Sequence, residues 1–311
     1  METFELSADQ IQLYTSVVDE FEKLRTLSPE EKEDIIIRIL STPYIDLMCD
    51  WAFKHVFGHN EKNLLLLLND LLPEKIVSIT YDPNEIDHWK GDDKNIIMDV
   101  LCHTDDGRRF VVEMQRGDKR YLKNRMLYYA SSMITTQLKI GDSYGKLMPS
   151  YVICFMNFRL KHDYNKLIYH YMIREESGEL YGGQLNVLFC ELPRLISKPH
   201  KEMTLVETWF DILRNMRTFV GNPGDYGERF RPIVEYCLQT PISGEEKKHY
   251  LRSMITHEIT SILSDEDREE AREEAREEVR KDVARRMKSM GLPLDTITAA
   301  TDLSEEQVEG L

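Results

Sequence analysis

Asp99, Glu113 and Gln115 lie within the largely apolar segment NIIMDVLCHTDDGRRFVVEMQ, residues 95–115, with thirteen residues between the two acids. Asp105-Asp106-Gly107 suits a three-residue hairpin loop, a type I turn closed by glycine in the left-handed conformation. Thr104 then pairs with Arg108, and Asp99 falls opposite Glu113 with Cβ atoms roughly 5 Å apart. Gln115 shares the face of Glu113, because side chains alternate along a strand. A two-residue loop would send the acids to opposite faces, so the expectation depends on the loop. The flanking positions are apolar: Val100, Cys102, Phe110, Val112 and Met114 on one face, Leu101 and Val111 on the other. Two carboxylates in such surroundings repel one another and resist desolvation. A hard divalent cation, Mg²⁺ or Mn²⁺, relieves both problems and takes oxygen ligands while keeping waters. Such a cation lowers the pKa of a bound water and stabilises charge developing on a phosphate.

The elements that must position this pair are legible around it. A helical stretch is expected from about Asp50 to Leu72, split near Gly58. Strand-like segments follow at Ile76–Tyr81, Asn95–Thr104 and Arg108–Gln115, rich in Ile, Val and Phe. A helix from about Tyr121 to Lys139 and a strand at Tyr151–Phe155 complete an α-β-β-β-α-β order, the pattern of a mixed sheet flanked by helices in an α/β fold. Ahead of it, residues 1–41 read as a helical prefix, with Ser28-Pro29-Glu30-Glu31 as a helix start. The core is expected over 42–160. Residues 161–262 offer two further strands, Leu167–Ile173 and Leu185–Leu192, followed by helices, with no chemistry assigned. Residues 263–311 begin with a charged helix from Asp265 to Met290, followed by short helices. Ala271, Ala275, Val279, Val283 and Met287 give that helix a narrow apolar seam, too poor to hold a lone helix down but suited to self-association into a homo-oligomer.

The chain carries a formal charge of −15, which by itself disfavours a nucleic-acid partner. The distribution weakens that objection. From Ser264 onward there are 15 acidic and 8 basic residues, whereas Arg116–Arg125 (RGDKRYLKNR) holds five basic residues against one acid. A local patch is what phosphate binding requires. No run approaches the roughly 18 apolar residues of a membrane span, and METFELSADQ lacks the pattern of a signal peptide. Five cysteines without a CxxC pair suit reduced thiols and a cytoplasmic setting, and argue against zinc.

The wider text, Asp50-Trp-Ala-Phe53-Lys54-His-Val-Phe57-Gly58, then LLLLLNDLL, then Val-Glu-Met-Gln, then Arg125-Met-Leu-Tyr128-Tyr129 and Gln137-Leu-Lys-Ile-Gly141, resembles the recombination-promoting nucleases, also called PD-(D/E)XK family transposases. The resemblance covers about residues 42–160 and extends to the C-terminal text MKSMGLPLDTITAATDLSEEQVEGL. It implies a restriction-endonuclease-like core and a metal-dependent bacterial DNA endonuclease linked to recombination or mobile DNA. Asp99 and Glu113 would bind Mg²⁺, with Asp50 completing the site, although an Asp before an apolar helix is also a common N-cap. Gln115 stands where most of the wider superfamily has Lys; an amide positions water but supplies no charge. Lys54, Lys94 or a second metal are the candidates for that charge, and the general base stays open. Lys54, Arg120, Lys123, Arg125 and Tyr129 are the expected DNA contacts, though a helix face with Arg and Tyr is as often ordinary packing. The alternative function is a nuclease-fold module that binds DNA or a partner without cutting it.

Overall fold

The computed structural model describes residues 6–83, 85–86, 96–117, 121–162, 164–256 and 258, together with 284, 287–288, 297–298, 301 and 308. Residues Met1–Ile255 form one compact unit and Thr256–Leu311 a second. In the second unit Ala284, Ile297 and Val308 are buried together against Met287, and Lys288 donates to the Val308 carbonyl at 3.1 Å. The seam over 265–283 and its role in self-association lie outside the described residues.

Helix α1 (Ala8–Val18) starts at a capping box built on Ser7 and Gln10, and α2 (Pro29–Leu40) at one built on Ser28 and Glu31. Each box satisfies N–H groups that a first helical turn leaves without intrahelical partners. After them come α3 (Asp50–Phe53), a π-helical turn over Lys54–Gly58, and α4 (Glu61–Leu71), capped by the Asn60 side chain. The expected split near Gly58 is present.

The strands are β1 (Thr80–Tyr81), β2 (Glu85–Ile86), β3 (Ile96–Ile97), β4 (Val100–His103), β5 (Arg109–Gln115), β6 (Ser150–Met156), β7 (Ile168–Met172) and β8 (Leu185–Glu191). Six form one sheet in the order β1-β4-β5-β6-β8-β7, while β2 and β3 pair separately. β4 and β5 are antiparallel; β6 and β8 continue parallel to β5, and β7 closes the sheet antiparallel to β8. Between β5 and β6 runs α5 (Leu122–Thr135), the long crossover that parallel neighbours require.

Two strands are shorter than the sequence suggests. Ile76–Ile79 stays out of the sheet because Asn69 brackets Ile76, donating to its carbonyl and accepting from its N–H, each at 2.9 Å. That takes both groups a ladder would use. The segment 95–104 is broken between Ile97 and Val100, where the Asp99 carboxylate accepts the Met114 N–H at 2.8 Å. By the alternation of an antiparallel ladder that N–H would have gone to the Met98 carbonyl.

Both faces of the sheet are covered. On one, Leu122, Met126, Tyr129, Ala130 and Met133 of α5 pack on Leu101, Val111, Val152, Cys154, Val187 and Phe189. On the other, Phe53 and Phe57 meet Phe155 and Trp209, and Phe210 of α6 (Leu205–Asn215) meets Phe155 edge-on at 6.3 Å. Every residue of β6 is buried, as expected of a central strand in a parallel sheet. Past α7 (Arg231–Tyr236), residues 244–255 are helical and end the first unit.

Candidate active site

The hairpin loop fixes the site's register. Thr104 donates its N–H to Arg108 and accepts that of Gly107, both at 2.9 Å, and Gly107 has φ +89°. Asp106 locks the turn, receiving the Thr104 hydroxyl at 2.5 Å and the Arg108 Nε at 3.0 Å. Val100 therefore faces Val112, and one step further Asp99 meets Glu113, as the three-residue loop requires.

At that point the acids leave ordinary sheet bonding. The Asp99 N–H donates to Glu113 Oε1 at 3.0 Å, and Gln115 Nε2 donates to Glu113 Oε2, also at 3.0 Å. Glu113 and Gln115 are 3% and 6% exposed, so these bonds are made in near-dry surroundings. Gln115 Oε1 is buried with no hydrogen-bond partner.

Helix α3 approaches the pair from one side. Cys49, not Asp50, is its N-cap, and Asp50 is the first helical residue. The Asp50 carboxyl lies within hydrogen-bonding reach of that of Asp99, so the capping alternative does not hold. Lys54 Nζ bonds Asp50 Oδ1 at 2.7 Å and stands 3.9 Å from Asp99 Oδ1. Helix α5 approaches from the other side: Arg125 Nη2 is 3.9 Å from Glu113 Oε2, while Arg125 Nε and Nη2 are buried without hydrogen-bond partners.

The electrostatics follow from burial. Burial pushes the Glu113 carboxyl well above the usual range, aided by the charge of Asp99 and opposed by the Asp99 N–H, Arg125 and Lys54. Asp99 is raised too, by burial first and by Asp50, against the Met114 N–H and Lys54. Burial works against the Lys54 ammonium, but the bond and charge of Asp50, with Asp99 and Glu113 behind them, hold its pKa above the ordinary value. Burial pushes the Tyr129 hydroxyl up to about 12, with Glu113 adding to it.

Among the described residues no group of three or more His, Cys, Asp or Glu is arranged to hold a metal ion. What the site offers instead is oxygen only: two adjoining carboxylates, a third next to them, and the unpartnered buried oxygen of Gln115. That donor set fits a hard divalent cation and suits neither zinc nor copper. The five cysteines are free and buried, and none is among these donors.

The remaining expected DNA contacts separate. Lys54 turns into the acids. Tyr129 is buried under α5, with the Arg125 guanidinium 5.8 Å from its ring. Lys123 points the other way, 6.0 Å from the Tyr171 ring. Arg120 and Lys94 lie outside the described residues. Sequence reasoning missed Asp46, 3% exposed, which ties down Arg116 at 3.2 Å just after β5 and stands 3.9 Å from Arg217. It also missed Glu191, fully buried at the end of β8 and held by His162 at 2.9 Å, by Arg194 and by the Leu160 N–H. Neither belongs to a motif; both are recognisable only once distant segments meet.

No helix among the described residues is long and apolar enough to cross a membrane. Neither the curated proteins nor the solved structures hold a match to the chain. The PD-(D/E)XK nuclease family transposase matches over residues 47–289, a span that contains the hairpin, α3, α5 and both parallel crossovers. With that span, and a mixed six-stranded sheet carrying the acidic pair, the chain belongs to the PD-(D/E)XK nuclease family transposases.

Proposed function

We propose that the protein is a metal-dependent DNA endonuclease that hydrolyses phosphodiester bonds. The observation that carries this reading is the junction of Asp99 and Glu113, a part-buried and a buried carboxylate side by side, both raised in pKa by burial first and by a neighbouring carboxylate. Asp99 and Glu113, with Asp50 beside them, would hold Mg²⁺ or Mn²⁺, which when bound would activate water and offset charge on the phosphate. Gln115 positions the attacking water through its unpartnered oxygen, which accepts a proton-bearing donor where a lysine would give one. Lys54 supplies the positive charge that Gln115 lacks, because its ammonium already stands against Asp50 and Asp99. Arg125 receives a phosphate oxygen on Nε and Nη2, which point two buried donors at one place.

Plasmid nicking in EDTA, Mg²⁺, Mn²⁺ and Ca²⁺, run beside Asp99→Ala and Glu113→Ala, tests the reading. Cleavage is expected with Mg²⁺ or Mn²⁺ and lost in either variant, while DNA binding survives because affinity rests mainly on phosphate contacts. Cleavage by the double variant equal to that of the unaltered chain would overturn the mechanism. Binding without any cleavage would favour the DNA-binding module, for which the Lys54 contact with the acids is the supporting observation.

A further inference from the structure

The first turn of α5 touches two places at once. Arg125 reaches toward Glu113 on β5, while Lys123, two residues earlier, lies over the ring of Tyr171 on the outer strand β7. Across the sheet the register runs Glu113–Cys154–Phe189–Tyr169, three strand spacings, or about 14 Å. Cys154, Phe189 and Tyr169 on that register are buried beneath α5, and aromatic rings are displayed only at the outer edge of the sheet and beside the first turn of the helix. Tyr171 is 40% and Tyr164 is 59% exposed, and Tyr121 at the start of α5 is 66% exposed.

These rings are held firmly from below. Tyr171 stands edge-on against Phe189 at 5.6 Å. Tyr164 packs at 5.6 Å on Tyr169, which stacks on His162 at 3.6 Å, and the Tyr169 hydroxyl donates to the Tyr164 carbonyl at 2.7 Å. Cations accompany them: Lys123 with Tyr171 and Lys166, whose Nζ lies 5.1 Å from the Tyr164 ring. Tyr121 has φ +67°, a conformation that costs a non-glycine residue free energy and is retained where the surroundings over-determine it.

Exposed rings alternating with lysines, leading away from a phosphate-chemistry site, match one ligand chemistry. Unpaired bases stack on the rings in a sequence-tolerant way, and the backbone beside them meets the ammonium groups. Duplex DNA keeps its bases stacked inside and offers such rings nothing.

We propose that the surface formed by Tyr171, Tyr164, Lys123 and Lys166, joined to the acidic site by the first turn of α5, binds a single-stranded DNA segment, so that the protein engages duplexes carrying an unpaired tail. This rests on the nuclease reading for its substrate class but is testable by binding alone.

The measurement is fluorescence anisotropy of the full chain in EDTA, with a blunt duplex, the same duplex carrying a short oligo-dT tail, and free oligo-dT. The tailed duplex is expected to bind about tenfold more tightly than the blunt one, as follows from about 1–3 kcal/mol per stacked base. Tyr164→Ala with Tyr171→Ala should remove that advantage while leaving blunt-duplex affinity within about twofold. The paired phenylalanine variant should retain it, which separates lost stacking from lost folding. Equal affinity for tailed and blunt duplexes, or equal weakening of both by the alanine pair, overturns the proposal. A tail preference in a chain that cuts nothing upholds this surface and removes the nuclease reading instead.

Discussion

Replacing Glu113 with glutamine should raise stability in the absence of metal while ending cleavage. Glu113 is 3% exposed and adjoins Asp99, and burial raises the pKa of both carboxyls. The folded chain therefore holds protons that the unfolded chain has released, from just above the ordinary carboxylate range up through the raised values. In that window the unfolded state binds fewer protons, so stability falls as pH rises. The penalty is absent below about pH 4, where both states are protonated, and is complete above the folded values. Each unit of elevation is worth about 1.4 kcal/mol, so even two units, fewer than the rise of Glu113 from 4.5 to about 8, make about 3 kcal/mol. Glutamine removes the charge and keeps the shape. Its Oε1 still accepts the Asp99 N–H, and its Nε2 meets a Gln115 amide whose turned-over oxygen, now unpartnered, accepts it. In EDTA near pH 8 the variant should thus melt higher, by about 6–12 °C at roughly 2–4 °C per kcal/mol for a unit of this size. The gap should close as the buffer approaches pH 4. Saturating Mg²⁺ should stabilise the unaltered chain, by about 2.7 kcal/mol at a hundredfold excess over Kd, and leave the variant unmoved. Differential scanning fluorimetry over a pH series with and without Mg²⁺ reads all of this. A variant that melts lower at pH 8 in EDTA, or a gap that ignores pH, would refute the reasoning.

Gly107→Ala should destabilise the first unit by about 1–2 kcal/mol in denaturant melts, since φ is +89° and the new Cβ would stand 3.1 Å from Met148 Cγ; cleavage should fall with it, because the loop sets the register of Asp99. Arg125→Ala should weaken DNA binding and reduce the slope of log affinity against log salt by about one; an unchanged slope counts against its phosphate role. Gln115→Lys should leave cleavage intact or raise it, read as initial nicking rate in Mg²⁺; a loss would mean that the amide's oxygen, not merely its position, is needed. Asp106 is held down to about 2 by the Arg108 and Thr104 hydrogen bonds. Its folded value is depressed, so its small contribution is present above about pH 4 and lost as pH falls toward 2; Asp106→Ala should flatten the acid limb of a melting curve slightly.

The part of the site carried by local rules was open to sequence reading. Turn chemistry at Asp105-Asp106-Gly107 fixed the pairing of β4 with β5, and alternation then placed Glu113 and Gln115 together. Serine, proline and glutamate at 28–31 likewise marked the start of α2. What could not be read depends on contacts between distant segments. Asn69 withholds Ile76–Ile79 from the sheet through bonds that no propensity encodes. Lys54 turns toward the acids because α3 lands beside the start of β4, and a helix-face pattern cannot say which way such a residue points. The partners of Asp46 come from residues 116 and 217, and those of Glu191 from residues 160–162 as well as the nearby Arg194, so no spacing announces them.

The sheet order bears on how the chain can be cut apart. β8 enters between β6 and β7 although it follows β7 in sequence, so the segment ending near residue 160 stops with β6 as the sheet's border. Its seven residues, Ser-Tyr-Val-Ile-Cys-Phe-Met, carry no charge, proline or glycine and are buried on both sides. Natural borders are blunted by charges, prolines or bulges, and a bare apolar one templates pairing with other molecules. A fragment with every catalytic candidate but without β8 would self-template into aggregates. The 35 residues from Asn157 to Glu191, after the acidic pair's last strand neighbour, thus act as a solubility device, and the ribosome must deliver them before the nascent sheet is safe.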